Sequence, residues 1–242
     1  MATFVLVHGG GHGGWCWRFV AERLRARGHE VYTPTLTGLG ERSHLLSPAV
    51  DLALHIQDVV NVLRFEDLAE VVLVGHSYGG MVITGVADRV PERIAHLVYL
   101  DAARPSNGQS LVAVAPEMMA LARESLQVVD GVELVLFPGK FPMLPGDYYG
   151  VTDPQLIEWM APKLTPHPWK SFAQKLELED EARVRQIPET IVITPIRNLS
   201  PADKQALVAL TQGRFFEVDT GHDLMISAPD QTADILHQVA GG

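Results

Sequence analysis

The sequence predicts an α/β fold: a doubly wound, mostly parallel six-stranded sheet with helices on both faces and an inserted cap. Three observations carry this expectation. Short apolar runs rich in β-branched residues alternate with segments of helical period. The runs are apolar almost without alternation, as in strands covered on both faces. One connection, 103–188, is far longer than a crossover helix needs.

In chain order, Thr3 to Val7 reads as the first strand and Glu30 to Thr35 as the second. Glu70 to Val74, Ile94 to Leu100, Thr190 to Thr194 and Arg214 to Val218 complete six. Between the first two strands, a helix from Trp15 to Arg27 ends at Gly28, a residue suited to the C′ position. Ser47 and Pro48 read as N-cap and first turn of a second helix, carrying Leu52, Ile56, Val59 and Leu63. A third runs from Ser77 to Val90 and stops before Pro91. Ser200–Pro201 and Ala228–Pro229 open two more. Strand and helix in alternation imply right-handed crossovers and a parallel sheet. The expected organisation is therefore a core of residues 1–102 and 189–242 and a cap of residues 103–188. The cap segment holds Phe137, Phe141, Tyr148, Tyr149, Trp159, Trp169 and Phe172, with a helix start at Asp153–Pro154. So many aromatic residues argue for packing rather than disorder.

Charge and cysteine content narrow the function. Nineteen Lys and Arg against 29 Asp and Glu leave a net charge of −10. Phosphate-backbone partners need clustered cations, so a nucleic-acid ligand is not expected. Cys16 is the single cysteine, which excludes an internal disulfide and a thiolate metal site. No apolar run reaches the roughly 20 residues of a spanning helix. The strand-like run follows Met1 directly, without a signal peptide pattern. A cytoplasmic protein with no membrane partner is expected.

Three motifs carry chemistry. Gly75-His76-Ser77-Tyr78-Gly79 is a G-x-S-x-G between a β-branched run and a helix. Its glycines permit a strained strand-to-helix turn that lifts the Ser77 hydroxyl clear of the backbone. The second motif is His8-Gly9-Gly10-Gly11-His12-Gly13-Gly14, after the first strand. Gly9, Gly11 and Gly14 match G-x-G-x-x-G, but the second strand ends Thr33-Pro34-Thr35, without the acid a dinucleotide site requires. An oxyanion loop fits better, with the Gly10 and Tyr78 backbone N–H groups as donors. His8 and His12 sit on a glycine-rich loop rather than a helix and are read as bracing the loop, not binding a metal. The third motif, Thr220-Gly221-His222-Asp223, follows the last strand, from where His222 can reach the nucleophile as general base.

Taken in order, Phe4-Val-Leu-Val-His-Gly9, His12-Gly-Gly-Trp-Cys-Trp17, Pro34-Thr-Leu-Thr-Gly-Leu-Gly-Glu-Arg42, Gly75-His-Ser-Tyr-Gly-Gly80 and Gly221-His222 resemble the α/β-hydrolases of the plant methylesterase and hydroxynitrile lyase group, in a bacterial esterase-like branch. The resemblance runs nearly end to end. It implies Ser77 as nucleophile, His222 as base, and Gly10 and Tyr78 as oxyanion donors. With no cysteine cluster, no helical H-E-x-x-H and no P-loop in the sequence, no metal and no organic cofactor are expected. One departure matters. The family's acid follows the fifth strand, where this chain reads Thr194-Pro195-Ile196-Arg197-Asn198 and has Ile196 at the expected position. Asp101, at the end of the fourth strand, is the substitute expected to complete the triad. Asp219 and Asp223 are near His222 in sequence only.

The implied activity is serine hydrolysis of a small apolar carboxylic ester or lactone through an acyl-enzyme. Two other readings stay open. One is cyanohydrin cleavage, although the lyase branch carries a threonine where Gly9 stands and a lysine where Asp223 stands. The other is a non-catalytic relative that kept the pocket. The expected partner is the small-molecule substrate, a homodimer is left open, and Trp159 is the cap residue expected to anchor the substrate.

Overall fold

The computed structural model describes residues 1–136 and 148–241. Six strands form one sheet: β1 (Thr3–Val7), β2 (Glu30–Tyr32), β3 (Val71–His76), β4 (Ile94–Leu100), β8 (Glu189–Ile193) and β9 (Phe215–Glu217). Three strands between β4 and β8 form a second sheet: β5 (Leu126–Val129), β6 (Val132–Val135) and β7 (His167–Pro168). The central sheet is parallel throughout, in the order β2-β1-β3-β4-β8-β9. Chain order reverses beside β1, so crossovers cover both faces.

The near-continuous apolar runs have their cause here. Val5, Val7, Leu73 and Tyr99 point to one face and are buried with Ile56, Val59 and Val86 of helices α2 (Leu52–Phe65) and α3 (Gly79–Arg89). Phe4, Leu6, Val72, Val74 and Val98 point to the other. They are buried with Val20 and Leu24 of α1 (Arg18–Ala26) and Leu236 of α11 (Pro229–Gly241). Burying such a side chain stabilises by about 1.5–3 kcal/mol, which is why the central strands are apolar on both faces.

Several boundaries differ from the expectation. The second strand stops at Tyr32, since Pro34 has no N–H to donate to a ladder. The expected helix from Trp15 is a 3₁₀ turn over Gly14–Trp17 followed by α1. A Cβ on Gly14 would lie 2.1 Å from the Thr33 carbonyl oxygen, so the chain is still held as a loop there. Ser47 and Pro48 do not open α2. Asp51 does, its carboxylate accepting the Leu54 N–H at 3.1 Å, and Ser47 closes a turn with Val50 instead. The Ser200–Pro201 start holds: Ser200 and Asp203 form a reciprocal capping box on α9 (Pro201–Leu210).

Residues 103–188 contain α4 (Leu111–Val114), α5 (Pro116–Glu124), the second sheet, α6 (Pro154–Met160), α7 (Trp169–Ala173) and α8 (Glu181–Val184). Asp153 caps α6 as its sequence suggests. The later part of this insert packs on the core rather than standing apart: Phe172, Leu176, Leu178 and Val184 are buried in the cluster of α2 and α3. Phe137 and Phe141 lie outside the described residues. The last connection, α10 (Leu224–Ser227), leads from the His222 loop into α11.

Candidate active site

Ser77 sits at the turn from β3 into α3 with φ of +53°, the left-handed region that β-carbon-bearing residues rarely enter. The flanking glycines are obligatory. A Cβ on Gly75 would lie 2.6 Å from the Gly79 oxygen, and one on Gly79 would lie 2.7 Å from the Val7 oxygen. The turn is held from both sides: Ser77 N–H donates to the Leu100 carbonyl at 3.3 Å, and the Ser77 carbonyl accepts from Ala103 N–H at 3.0 Å. The strain is therefore over-determined by its surroundings, and the hydroxyl stands above the N-terminus of an eleven-residue helix.

His222 lies on the loop after β9. Gly221 meets the backbone of Gly150, where a Cβ would come within 2.3 Å of the Gly150 oxygen. The His222 carbonyl accepts from His76 Nε2 at 3.0 Å, which pins the loop to the end of β3. His222 Nδ1 donates to Asp101 Oδ2 at 2.5 Å. Asp101 is fully buried and also has positive φ, +46°. Its N–H donates to the Val192 carbonyl at 2.7 Å, fixing it between β4 and β8. Its carboxylate accepts from Thr194 Oγ1 at 3.0 Å and from Arg197 Nε at 2.9 Å as well. Burial alone would push this carboxyl up, but His222 and the Arg197 guanidinium outweigh it and hold the group well below the usual carboxylate range. Asp101 is thus held as an anion at neutral pH.

The glycine-rich loop lies alongside. A Cβ on Gly9 would come within 2.9 Å of both Ser77 Cβ and His76 Nδ1, so only glycine allows this approach. Among the described residues no protein acceptor takes the N–H of Gly10 or of Tyr78. The Gly10 carbonyl is occupied, by His12 Nδ1 at 2.8 Å and the Tyr149 hydroxyl at 3.3 Å.

Ser77, His222, Asp101 and Arg197 share a cavity of about 390 Å³ whose apolar wall includes Leu111 and Met118 from α4 and α5. Trp159 is not among the residues lining this cavity. Its ring packs against Trp15 (5.4 Å between centroids) and Phe19 (4.9 Å), with the Lys163 ammonium 4.5 Å from its centre. It lines a separate groove beside α1. An indole at the end of α6 finds aromatic partners on the Gly14–Trp17 turn and on α1.

Sequence reasoning passed over several residues at this site. Arg197 adjoins Ile196, the position without an acid, and its guanidinium reaches Asp101 from there. Thr194 and Tyr149 gave no sequence signal. Asp223 pairs with His12 at 2.9 Å, both fully buried, although they are far apart in the chain. Among the described residues, no group of three or more His, Cys, Asp and Glu side chains is gathered as a metal ion would need.

A strained serine, an imidazole and a buried carboxylate at the carboxyl ends of a doubly wound parallel sheet make up the architecture of a hydrolase. Residues 4–235 match the model of the alpha/beta hydrolase family, and the chain belongs to that family. It is similar to the carbendazim hydrolyzing esterase of Nocardioides sp. (strain SG-4G), 38% identical over 244 residues that cover 98% of each chain. Esterase PIR7B of Oryza sativa subsp. japonica is 26% identical over 259 residues, covering 98% of this chain and 95% of that one. Among solved structures, it resembles an extracellular alpha/beta-hydrolase from a Paenibacillus species, described as homologous to tobacco salicylic acid binding protein 2. The TM-score is 0.77, at 24% identity over 98% of each chain. That likeness is one of fold.

Proposed function

We propose that this protein is a carboxylic ester hydrolase that cleaves a small, largely apolar ester or lactone by way of an acyl-serine. The observation that carries the reading is the 2.5 Å bond from His222 Nδ1 to buried, ionised Asp101, on a cavity that also holds Ser77. With Nδ1 committed to Asp101, the proton-accepting position of His222 is Nε2. His222 takes the Ser77 proton as Oγ attacks the carbonyl, and Asp101 stabilises the imidazolium that forms. The tetrahedral oxyanion is received by the N–H groups of Gly10 and Tyr78, whose fixed dipoles need no reorganisation. Collapse passes the proton from His222 to the leaving oxygen. Water then repeats the sequence and frees the acid. The esterase names of the two sequence relatives support the same chemistry.

The insert acts as a cap in this reading, with α4 and α5 setting substrate choice. Leu111 and Met118 favour an apolar acyl or alcohol group, and no metal or organic cofactor takes part. Among the described residues no helix is long and apolar enough to cross a membrane. With a single buried Cys16, a cytoplasmic enzyme is the reading that fits. Cyanohydrin cleavage fits less well, because Gly9 has no room for a larger residue and Asp223, buried against His12, offers no cation to the cavity.

The test is turnover of p-nitrophenyl acetate by the wild type and by Ser77→Ala, with a fluorophosphonate as label. Ser77→Ala should lose several orders of magnitude in kcat, and the label should appear on Ser77 alone. Near-equal turnover by the two proteins would reject the nucleophile. Binding without turnover by the wild type would favour a non-catalytic relative.

A further inference from the structure

We propose that His12 and Asp223 form a buried imidazolium–carboxylate pair that locks the oxyanion loop to the loop carrying the catalytic base, and that both are positioning residues for ester hydrolysis. The inference rests on the esterase reading above.

The argument starts from donors and acceptors. His12 Nδ1 faces the Gly10 carbonyl at 2.8 Å, and its Nε2 faces Asp223 Oδ2 at 2.9 Å. A carbonyl can only accept, and so can an ionised carboxylate. Both ring nitrogens must therefore donate, and His12 carries a positive charge. The other histidines buried around it are bonded differently. His8 Nε2 accepts the Leu36 N–H, and His167 Nδ1 accepts the Gly11 N–H. His55 Nδ1 meets the Tyr78 hydroxyl while its Nε2 donates to the Thr37 carbonyl. Each is satisfied as a neutral ring.

The place of the pair gives it a task. Gly10, one of the oxyanion donors, has its carbonyl held by His12. Asp223 directly follows His222, and its N–H is fixed by the Tyr149 carbonyl at 3.2 Å. One charge-assisted contact thus ties together two loops that reach the site from opposite ends of the chain. Such bonds are about twice as strong as neutral ones, and a misplacement of about 1 Å in a catalytic constellation can reduce the rate about 100-fold.

The groups facing the pair come from every neighbouring element: His8 on the same loop, His76 at the end of β3, His167 on β7, Tyr149 in the insert, Cys16 in the turn before α1, and His222. Burial opposes charge on both partners, yet Asp223 raises the His12 imidazole and His12 lowers the Asp223 carboxyl. Burial pushes the Cys16 thiol and the Tyr149 phenol well up. When His12 releases its proton, one of its two bonds must go.

Three proteins test this in the same ester assay across pH 5 to 10: wild type, Asp223→Ala and Asp223→Asn. Asp223→Ala should lower kcat by about 10–100-fold with KM within a few-fold. Asp223→Asn can donate to a neutral His12 Nε2 and should restore most of kcat. Wild type should lose kcat on the alkaline side as His12 loses its proton, and Asp223→Asn should not. A role confined to stability would lower the melting temperature of both variants without changing either pH profile. That outcome overturns the proposal, as does Asp223→Ala with kcat within twofold of wild type. The wild type alone gives a check independent of variant folding: ¹⁵N NMR at neutral pH should show both His12 ring nitrogens protonated, and a neutral His12 rejects the pair. Absence of any ester turnover by wild type would instead sink the esterase reading, and the positioning role with it.

Discussion

What a histidine does in this protein follows from what its two nitrogens face. His222 donates from Nδ1 to a carboxylate, and in the proposed mechanism its Nε2 is the proton acceptor. His76 donates from Nε2 to the His222 carbonyl, which fixes its tautomer and leaves it a neutral brace pulled down to about 3 by burial. The same accounting makes Asp101 the residue on which the base depends. Asp101→Asn removes the charge that stabilises the imidazolium and offers an amide that can select the wrong tautomer. It should reduce kcat by about two to four orders of magnitude. Circular dichroism should show a retained fold, since Thr194 and Arg197 can still hold the side chain in place. Near-full turnover by Asp101→Asn would move the acid elsewhere. Asp101 was singled out in the sequence by its place at the carboxyl end of the fourth strand together with Ile196 at the family's usual position, and the structure sets its carboxylate against His222 Nδ1. Arg197 was not, because an arginine reaching back 96 positions to a carboxylate has no local pattern.

At the scale of elements, what was legible was what local chemistry determines. The Ser200–Pro201 start, the Asp153–Pro154 start and the glycines around Ser77 act within a few residues, and each is found where the sequence suggests. The start of α2 was misjudged because Ser47–Pro48 and Asp51 are both good caps. Asp51 also pairs with Lys170 from α7 at 2.9 Å, a contact the sequence could not reveal. Trp159 shows the same limit. Its position in the insert suggested the cavity, but its partners are Trp15 and Phe19. Trp159→Ala should therefore cost about 1–3 kcal/mol of stability and leave kcat/KM for short activated esters within twofold. Met118→Ala, on the cavity wall, should instead shift preference toward longer acyl chains. Chain-length profiles of both variants decide this. A changed profile in Trp159→Ala with unchanged melting would return the indole to substrate binding.

The molecule as a whole carries an unusual load of buried neutral imidazole. His8, His55, His76 and His167 are fully buried, and burial lowers each below the ordinary histidine value of 6.5, His8 and His76 to about 3. The sign of the consequence is fixed by linkage. Below pH 6.5 the unfolded chain binds these protons and the folded protein does not. The stability these groups permit is therefore present above pH 6.5 and is lost as pH falls toward their folded values. His12 works in the opposite sense: it is raised, so its contribution is complete below pH 6.5 and declines as pH rises through its folded value. Asp101 and Asp223, both lowered from the ordinary 3.8, contribute further loss only below about pH 4. Between pH 6.5 and 4 the most strongly lowered rings, His8, His76 and His167, therefore dominate, each by up to about 1.4 kcal/mol per pH unit, and His55 acts in the same direction. Against a typical domain stability of about 5–15 kcal/mol, acid unfolding should begin near pH 5, above the carboxylate range. Urea unfolding followed by tryptophan fluorescence at half-unit steps from pH 8 to 4 measures this directly. The midpoint should fall steadily from about pH 6.5 downward, and His167→Gln, though less stable at pH 8, should show a shallower slope by about one proton. A midpoint flat from pH 7 to 4.5 would mean that these rings accept protons in the folded state. The donor pattern around His8, His55 and His167, which leaves one nitrogen of each facing a hydrogen that another group already supplies, would then have to rearrange.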